Sequence, residues 1–179
     1  MEINKAIIFD RDGVVNELVN VDGSLRPPWN INELEINYSL LKITEKLKQN
    51  NFKLFVVSNQ PDVKRGNLKF ENLEKINTKL DQIFNFDEIL FDVTDDIRFK
   101  KPSPYMINKL VVKYNLERKN TWLIGDRWVD ILAAKNAGIN SILLEREYSL
   151  NQTSIGKMPK DLIFEKKITN LIELKNLFL

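Results

Sequence analysis

The chain has 179 residues, 43% of them hydrophobic and 29% charged, a globular composition long enough for one domain with a sizeable core. Its 27 basic and 25 acidic residues leave a net charge of +2 without long blocks of one sign, which argues against a nucleic-acid or membrane surface. With neither cysteine nor histidine there is no route to a disulfide, a thiolate or imidazole zinc site, a cysteine nucleophile or a Ser-His pair; chemistry is left to carboxylates, Lys, Tyr, hydroxyls or a bound metal.

In chain order, the apolar run Ala6 to Phe9 predicts a buried strand that leads straight into Asp10-Arg11-Asp12-Gly13. An extended step of period two points Asp12 to the same side as Asp10, and Gly13 lets the backbone turn. Residues 16–37, with Asp22-Gly23-Ser24 and Arg26-Pro27-Pro28-Trp29, are turn-rich and read as a flap-like insertion. Leu40 to Leu47 predicts a helix, and Leu54 to Val57 a strand that delivers Ser58-Asn59-Gln60. Phe70, Leu73, Ile76, Leu80, Ile83 and Phe84 mark one face of an amphipathic helix.

Ile89 to Val93 predicts a third strand, followed by a loop carrying Lys101-Pro102 and a helix at Tyr105 to Tyr114. Trp122 to Ile124 is the next strand, and Gly125-Asp126-Arg127-Trp128-Val129-Asp130 follows it. A helix at Ile131 to Ala137 ends at Gly138, where a C-terminal glycine cap belongs. Ser141 to Leu144 is a strand, residues 145–160 are irregular, and Leu162 to Phe164 predicts a weak last strand. A helix over about Thr169 to Phe178 closes the chain, with Ile168, Leu171, Ile172 and Leu177 turned inward. The alternation predicts an α/β fold: a Rossmann-like, doubly wound parallel sheet of five to six strands with helices on both faces, one domain over residues 1–179 and no large cap. No apolar run approaches the length of a membrane span, so the expected location is the cytoplasm.

Ligands of open parallel sheets sit outside the carboxyl ends of the strands. Asp10, Asp12, Ser58, Asn59, Lys101, Asp126 and Asp130 all fall at such ends and form one set. Asp-x-Asp, a Ser after the next strand, a Lys, and Gly-Asp-x-x-x-Asp, in that order, resemble the four motifs of the haloacid dehalogenase-like hydrolases over roughly residues 5–145. Asp-Gly-Val-Val-Asn, Ser-Asn-Gln and Lys-Pro-Ser-Pro-Tyr-Met look like the compact branch that contains heptose bisphosphate and histidinol-phosphate phosphatases.

The resemblance implies a Mg²⁺-dependent phosphatase of a small phosphorylated metabolite, with Asp10 as nucleophile and Asp12 as general acid and base. A phosphate dianion facing Asp10, Asp126 and Asp130 is repelled unless a divalent cation intervenes. Asp10 and Asp126 are the favoured side-chain ligands; the resemblance adds the backbone carbonyl of Asp12 and makes Asp130 the residue that orients the metal's shell. Lys101 would place its charge on the phosphoryl oxygens and on Asp10. Ser58 would donate to a phosphoryl oxygen, and Asn59 would bind phosphate or the substrate beside it. Lys100 replaces the basic residue, commonly arginine, before the lysine, and Arg65 is the preferred contact for a second phosphate. Many relatives hold the loop before the lysine with zinc; residues 92–100 here carry no cysteine or histidine, so no zinc is expected.

Blander readings stand beside these. A calcium loop fails, since aligning Gly13 with its invariant glycine puts Ile8 and Val19 at ligand positions. Asp126 and Asp130 can equally be a helix N-cap and a first-turn acid, and Ser58-Asn59 a cap. Arg65 and its neighbour Lys64 can be a solvated turn. The rival from another class is a receiver-type signalling module phosphorylated on Asp92, after the third strand, which would leave Asp12 and the Gly125 to Asp130 motif unexplained.

Overall fold

The computed structural model describes residues 4–149 and 158–179. In chain order the elements are β1 (Ala6–Phe9), β2 (Val19–Val21), β3 (Ser24–Arg26), α1 (Leu41–Gln49), β4 (Lys53–Asn59), α2 (Pro61–Lys64), α3 (Phe70–Phe84), β5 (Glu88–Asp92), α4 (Tyr105–Lys113), β6 (Thr121–Gly125), α5 (Trp128–Ala137), β7 (Asn140–Leu144), β8 (Lys166–Ile168) and α6 (Leu174–Phe178). Six strands form one sheet in the order β5-β4-β1-β6-β7-β8, every neighbouring pair parallel. The chain first winds outward from β1 through β4 to β5, then returns to lay β6 on the other side of β1. The crevice where the connections diverge therefore opens at the carboxyl end of β1, where Asp10 stands.

Alternation along β1 explains the two-sided core. Ile7 and Phe9 pack with Ile43 and Leu47 of α1, Ile76 and Leu80 of α3, and Leu174 of α6. Ala6 and Ile8 pack on the opposite face with Ile107 and Leu110 of α4 and Ala133 and Ala134 of α5. All four β1 side chains are fully buried, so truncating Phe9 to alanine costs about 3–5 kcal/mol.

Three local expectations are corrected. The last strand is Lys166–Ile168, paired with β7 through Ile142, Leu143 and Leu144, while residues 162–164 are not a strand. Two lysines face solvent on this edge strand, a composition that discourages further pairing and hides the strand from an apolar-run reading. The closing helix is a 3-10 turn over Leu171–Glu173 followed by α6, so Leu171, Leu174 and Phe178 face inward at steps of three and four. Ile172 and Leu177 are exposed, whereas Ile168 and Leu171 are buried as expected. Phe70, placed on the buried face of α3, is nearly half exposed at its first turn. Residues 150–157 of the irregular stretch lie outside the described residues.

The segment 16–37 is short and folded on itself. β2 and β3 form an antiparallel hairpin, and Arg26 makes a bidentate pair with Glu33 at 2.8 and 3.1 Å while stacking on the Trp29 ring at 3.8 Å. Trp29 donates from Nε1 to Asp62 at 3.2 Å and accepts from Asn72 at 3.1 Å, tying the segment to α2 and α3.

Candidate active site

Asp10 leaves the sheet with its N–H still bonded to the Ile124 carbonyl of β6 at 2.8 Å. Lys101 arrives from the loop after β5 and is almost wholly buried. Its ammonium lies 2.6 Å from Asp10 Oδ1, 2.6 Å from Asp130 Oδ1 and 2.9 Å from the Val57 carbonyl. Asp126, at the end of the adjacent strand β6, is completely buried, and neither of its carboxylate oxygens completes a hydrogen bond of regular geometry. One oxygen from each of Asp10, Asp126 and Asp130 lies within 4.8 Å of the others.

Burial, and after it the neighbouring charges, shifts the protonation equilibria of the cluster. Burial, opposed by Lys101 and reinforced by Asp130, pushes the Asp10 carboxyl up to about 6. Burial and then the charges of Asp10 and Asp130 push Asp126 well above the usual carboxylate range. Burial works against the Lys101 charge, but Asp10 and Asp130 outweigh it and its pKa rises. Asp10 and Asp130 share the Lys101 ammonium, while Asp126, among the described residues, has only the Arg127 Nε at 3.9 Å and no completed hydrogen bond, a surplus of buried carboxylate charge that suits a small hard cation with oxygen ligands. The donor set fits Mg²⁺. Asp130 also fulfils its blander reading, since its Oδ2 accepts from the Arg127 N–H at 3.1 Å and starts α5 three residues earlier than the apolar pattern suggested.

Two glycines permit this crowding. Gly13 has φ +92°, and a Cβ there would strike the Asp126 carboxylate and the Tyr148 hydroxyl. A Cβ on Gly125 would strike Asp130. Either substitution displaces the acidic cluster.

Asp12 lies outside that cluster in quite different company. The wholly buried guanidinium of Arg11 reaches Asp12 Oδ1 from Nε at 3.2 Å and both oxygens from Nη2 at 3.0 Å. Asn16 Nδ2 adds a bond to Oδ1 at 3.0 Å, and Gln60 Nε2 one to Oδ2 at 2.7 Å. Gln60 also donates to Ser58 Oγ at 2.7 Å, and Arg11 Nη1 donates to Asn77 Oδ1 of α3 at 3.0 Å.

Ser58 is buried at the end of β4 within this network. The Asn59 amide meets the backbone of Lys101: Nδ2 donates to the Lys101 carbonyl at 2.9 Å and Oδ1 accepts from the Lys101 N–H at 2.8 Å. It holds the backbone of the lysine. Lys100 and Arg65 both converge on Asp95, at 2.6 and 3.3 Å, and Arg65 stays half exposed. Asp92 turns both oxygens into its own loop, accepting from Thr94 Oγ1 at 2.7 Å and from the Asp95 N–H at 3.1 Å. β5 lies beyond β4, two strand positions from β1. Among the described residues, the close group of three carboxylates is Asp10, Asp126 and Asp130 and does not include Asp92.

Sequence reasoning missed Arg11, Asn16, Gln60, Asn77, Arg146 and Tyr148. Arg146, after β7, donates to the Gly13 carbonyl at 3.2 Å and pairs with Glu17 at 3.2 Å. The neighbouring Tyr148 brings its hydroxyl against Asp126, and burial followed by that carboxylate raises its pKa. Arg11 and Gln60 were each adjacent to a recognised motif position; Asn77, Arg146 and Tyr148 carried no sequence signal.

The family model described as haloacid dehalogenase-like hydrolase matches residues 31–144, more than half of the chain. A bifunctional histidine biosynthesis protein from Baumannia cicadellinicola is 29% identical over 79% of the chain, which spans 41% of that protein's length. A D-glycero-alpha-D-manno-heptose-1,7-bisphosphate 7-phosphatase from Campylobacter jejuni is 25% identical, covering 97% of this chain and 95% of that one. The crystal structure of a D,D-heptose 1,7-bisphosphate phosphatase from B. bronchiseptica, complexed with magnesium and phosphate, superposes with a TM-score of 0.77 at 24% identity, covering 97% of each chain. That likeness is one of fold. Among the described residues no helix is long and apolar enough to cross a membrane. The chain belongs to the haloacid dehalogenase-like hydrolase family.

Proposed function

We propose that the chain is a Mg²⁺-dependent phosphatase of a small sugar phosphate or bisphosphate, heptose 1,7-bisphosphate first, acting through an aspartyl-phosphate within a single domain over residues 1–179. The observation that carries the reading is Asp10 at the carboxyl end of the central strand, 2.6 Å from the Lys101 ammonium and beside the buried Asp126 carboxylate, which completes no hydrogen bond. Asp10, Asp126 and the Asp12 carbonyl would hold the ion, with Asp130 orienting its surroundings. Bound there, Mg²⁺ offsets negative charge on the phosphoryl oxygens.

In the first step an Asp10 oxygen forms a bond to phosphorus in line with the departing ester oxygen, whose bond to phosphorus breaks while Asp12 supplies its proton. In the second step a water oxygen attacks the same phosphorus, the bond to Asp10 breaks, and Asp12 takes the water's proton. Such proton transfer contributes about 100-fold to 10,000-fold. Lys101 draws the phosphoryl oxygens toward Asp10, Ser58 donates its hydroxyl to one of them, and Asn59 serves by holding Lys101. Arg65 and Lys100 are the basic groups offered to a second phosphate, and residues 16–37 cover the substrate. Glu33 is held down to about 2 by Arg26 and the Trp29 N–H, which keeps this segment's ion pair intact at neutral pH.

Rates with heptose 1,7-bisphosphate, other sugar bisphosphates, histidinol phosphate and nucleoside monophosphates, with and without Mg²⁺, test the proposal. Preference for a sugar bisphosphate that vanishes on chelation supports it; uniform inactivity overturns it. The similarity to the bifunctional histidine biosynthesis protein favours histidinol phosphate as the second reading.

A further inference from the structure

We propose that Arg11 is a positioning residue for proton transfer, holding Asp12 at the angle from which it serves the ester and water oxygens; this rests on the role assigned to Asp12 above. A guanidinium with no exposed surface is costly to keep unless its charge and its donors are matched. Asp12 is the carboxylate that matches it: Nε and Nη2 bracket the Asp12 carboxylate at 3.0 to 3.2 Å, and Nη1 is anchored on Asn77 at 3.0 Å. The fork fixes the plane of the carboxylate as well as its place, which an ammonium cannot do.

The remaining contacts make the same point. The backbone N–H of Arg11 donates to Asp10 Oδ1 at 2.8 Å, so one residue steadies the nucleophile by its main chain and the proton carrier by its side chain. Asn16 and Gln60 hold Asp12 from two other directions. Asn77 belongs to α3, a long helix packed in the core, so the anchor is rigid. Misplacing a reacting group by about 1 Å is enough to cost roughly 100-fold.

A purely structural ion pair and a positioning one differ in what happens to different leaving groups. The step covered by kcat/KM ends when the ester bond breaks. An alkyl phosphate needs a proton there, whereas p-nitrophenyl phosphate departs as a stable phenolate. Arg11→Lys and Arg11→Gln are expected to lower kcat/KM for a sugar phosphate by about 10-fold to 100-fold and for p-nitrophenyl phosphate by less than about threefold. On an Asp12→Asn background, Arg11→Gln should cost nothing further.

Equal losses on both esters, or losses that multiply with Asp12→Asn, overturn the proposal. Because emptying a buried arginine site can unfold the chain, Asn77→Ala, which removes only the Nη1 anchor, is measured alongside. A smaller loss confined to the sugar phosphate supports the proposal, and a loss shared by both esters contradicts it. A wild-type protein inactive on both esters would remove the phosphatase reading and this inference together; an active one with leaving-group-blind variants would remove the inference alone.

Discussion

Asp10 and Asp12 leave the same strand two residues apart, yet their surroundings are opposites. Asp10 shares one ammonium with Asp130, beside an Asp126 whose oxygens have no regular partner, and burial raises its pKa to about 6. Asp12 is held by an arginine fork and two amides. The first region is short of positive charge. The second is complete already, and its geometry is set by the protein. Under the proposed function, the first region would grip a cation and a phosphate and the second would aim a proton, so both conditions would be needed at once.

The largest effect should come from the charge-poor side. Asp10→Asn keeps the shape of the residue and removes its nucleophilic oxygen, so turnover should fall by at least about 1,000-fold with an unchanged circular dichroism spectrum. Appreciable turnover would point to another nucleophile.

Next comes Lys101→Met. It leaves the acidic cluster without its ammonium and should destabilise the metal-free protein by about 3–5 kcal/mol. Urea unfolding with and without Mg²⁺ should show the ion returning part of the loss. Stability unchanged by the substitution would contradict the charge imbalance.

The pH dependence follows with its sign. Folded Asp10 holds its proton up to about 6, above its ordinary value of 3.8, so the folded state binds more protons than the unfolded state between those values. Stability of the metal-free protein therefore falls as pH rises from about 4 through about 6, by roughly 3 kcal/mol from Asp10 alone, and Asp126 adds in the same direction. Saturating Mg²⁺ should reverse the trend. A metal-free protein that gains stability over this range would refute the assignment.

The smallest effect belongs to Arg65, half exposed and paired with Asp95 and Asp62. Arg65→Ala should change stability by less than about 1 kcal/mol. It should raise KM for a bisphosphate more than for a monophosphate, and an equal change in both would end its specificity role.

How far the sequence reached can be traced through the same two regions. Asp10, Lys101, Asp126 and Asp130 were legible because each follows an apolar run that forms a strand or stands in the loop after one, and parallel topology gathers those ends. Arg11 was not, because an arginine inside a motif normally reads as a solvent-facing spacer, and full burial depends on Asp12, Asn77 and the helix that carries it. Asn59 was assigned to phosphate or the substrate beside it for its position after β4; its amide also meets a backbone 42 residues away, a pairing that local pattern cannot reveal. Tyr148 and Arg146 approach from a loop with no periodicity. The misplaced last strand has the same origin: Leu162 to Phe164 offers more apolar surface than Lys166–Ile168, but only the latter lies in register with β7.

The most direct measurement is to quench the protein with acid during steady turnover of its best phosphate ester, digest it, and locate the phosphoryl group by mass spectrometry. The account predicts an added phosphoryl mass on the peptide containing Asp10, fragmenting to Asp10 and absent from Asp10→Asn. The group found on Asp92, on Asp126 or on no residue while turnover proceeds would contradict it.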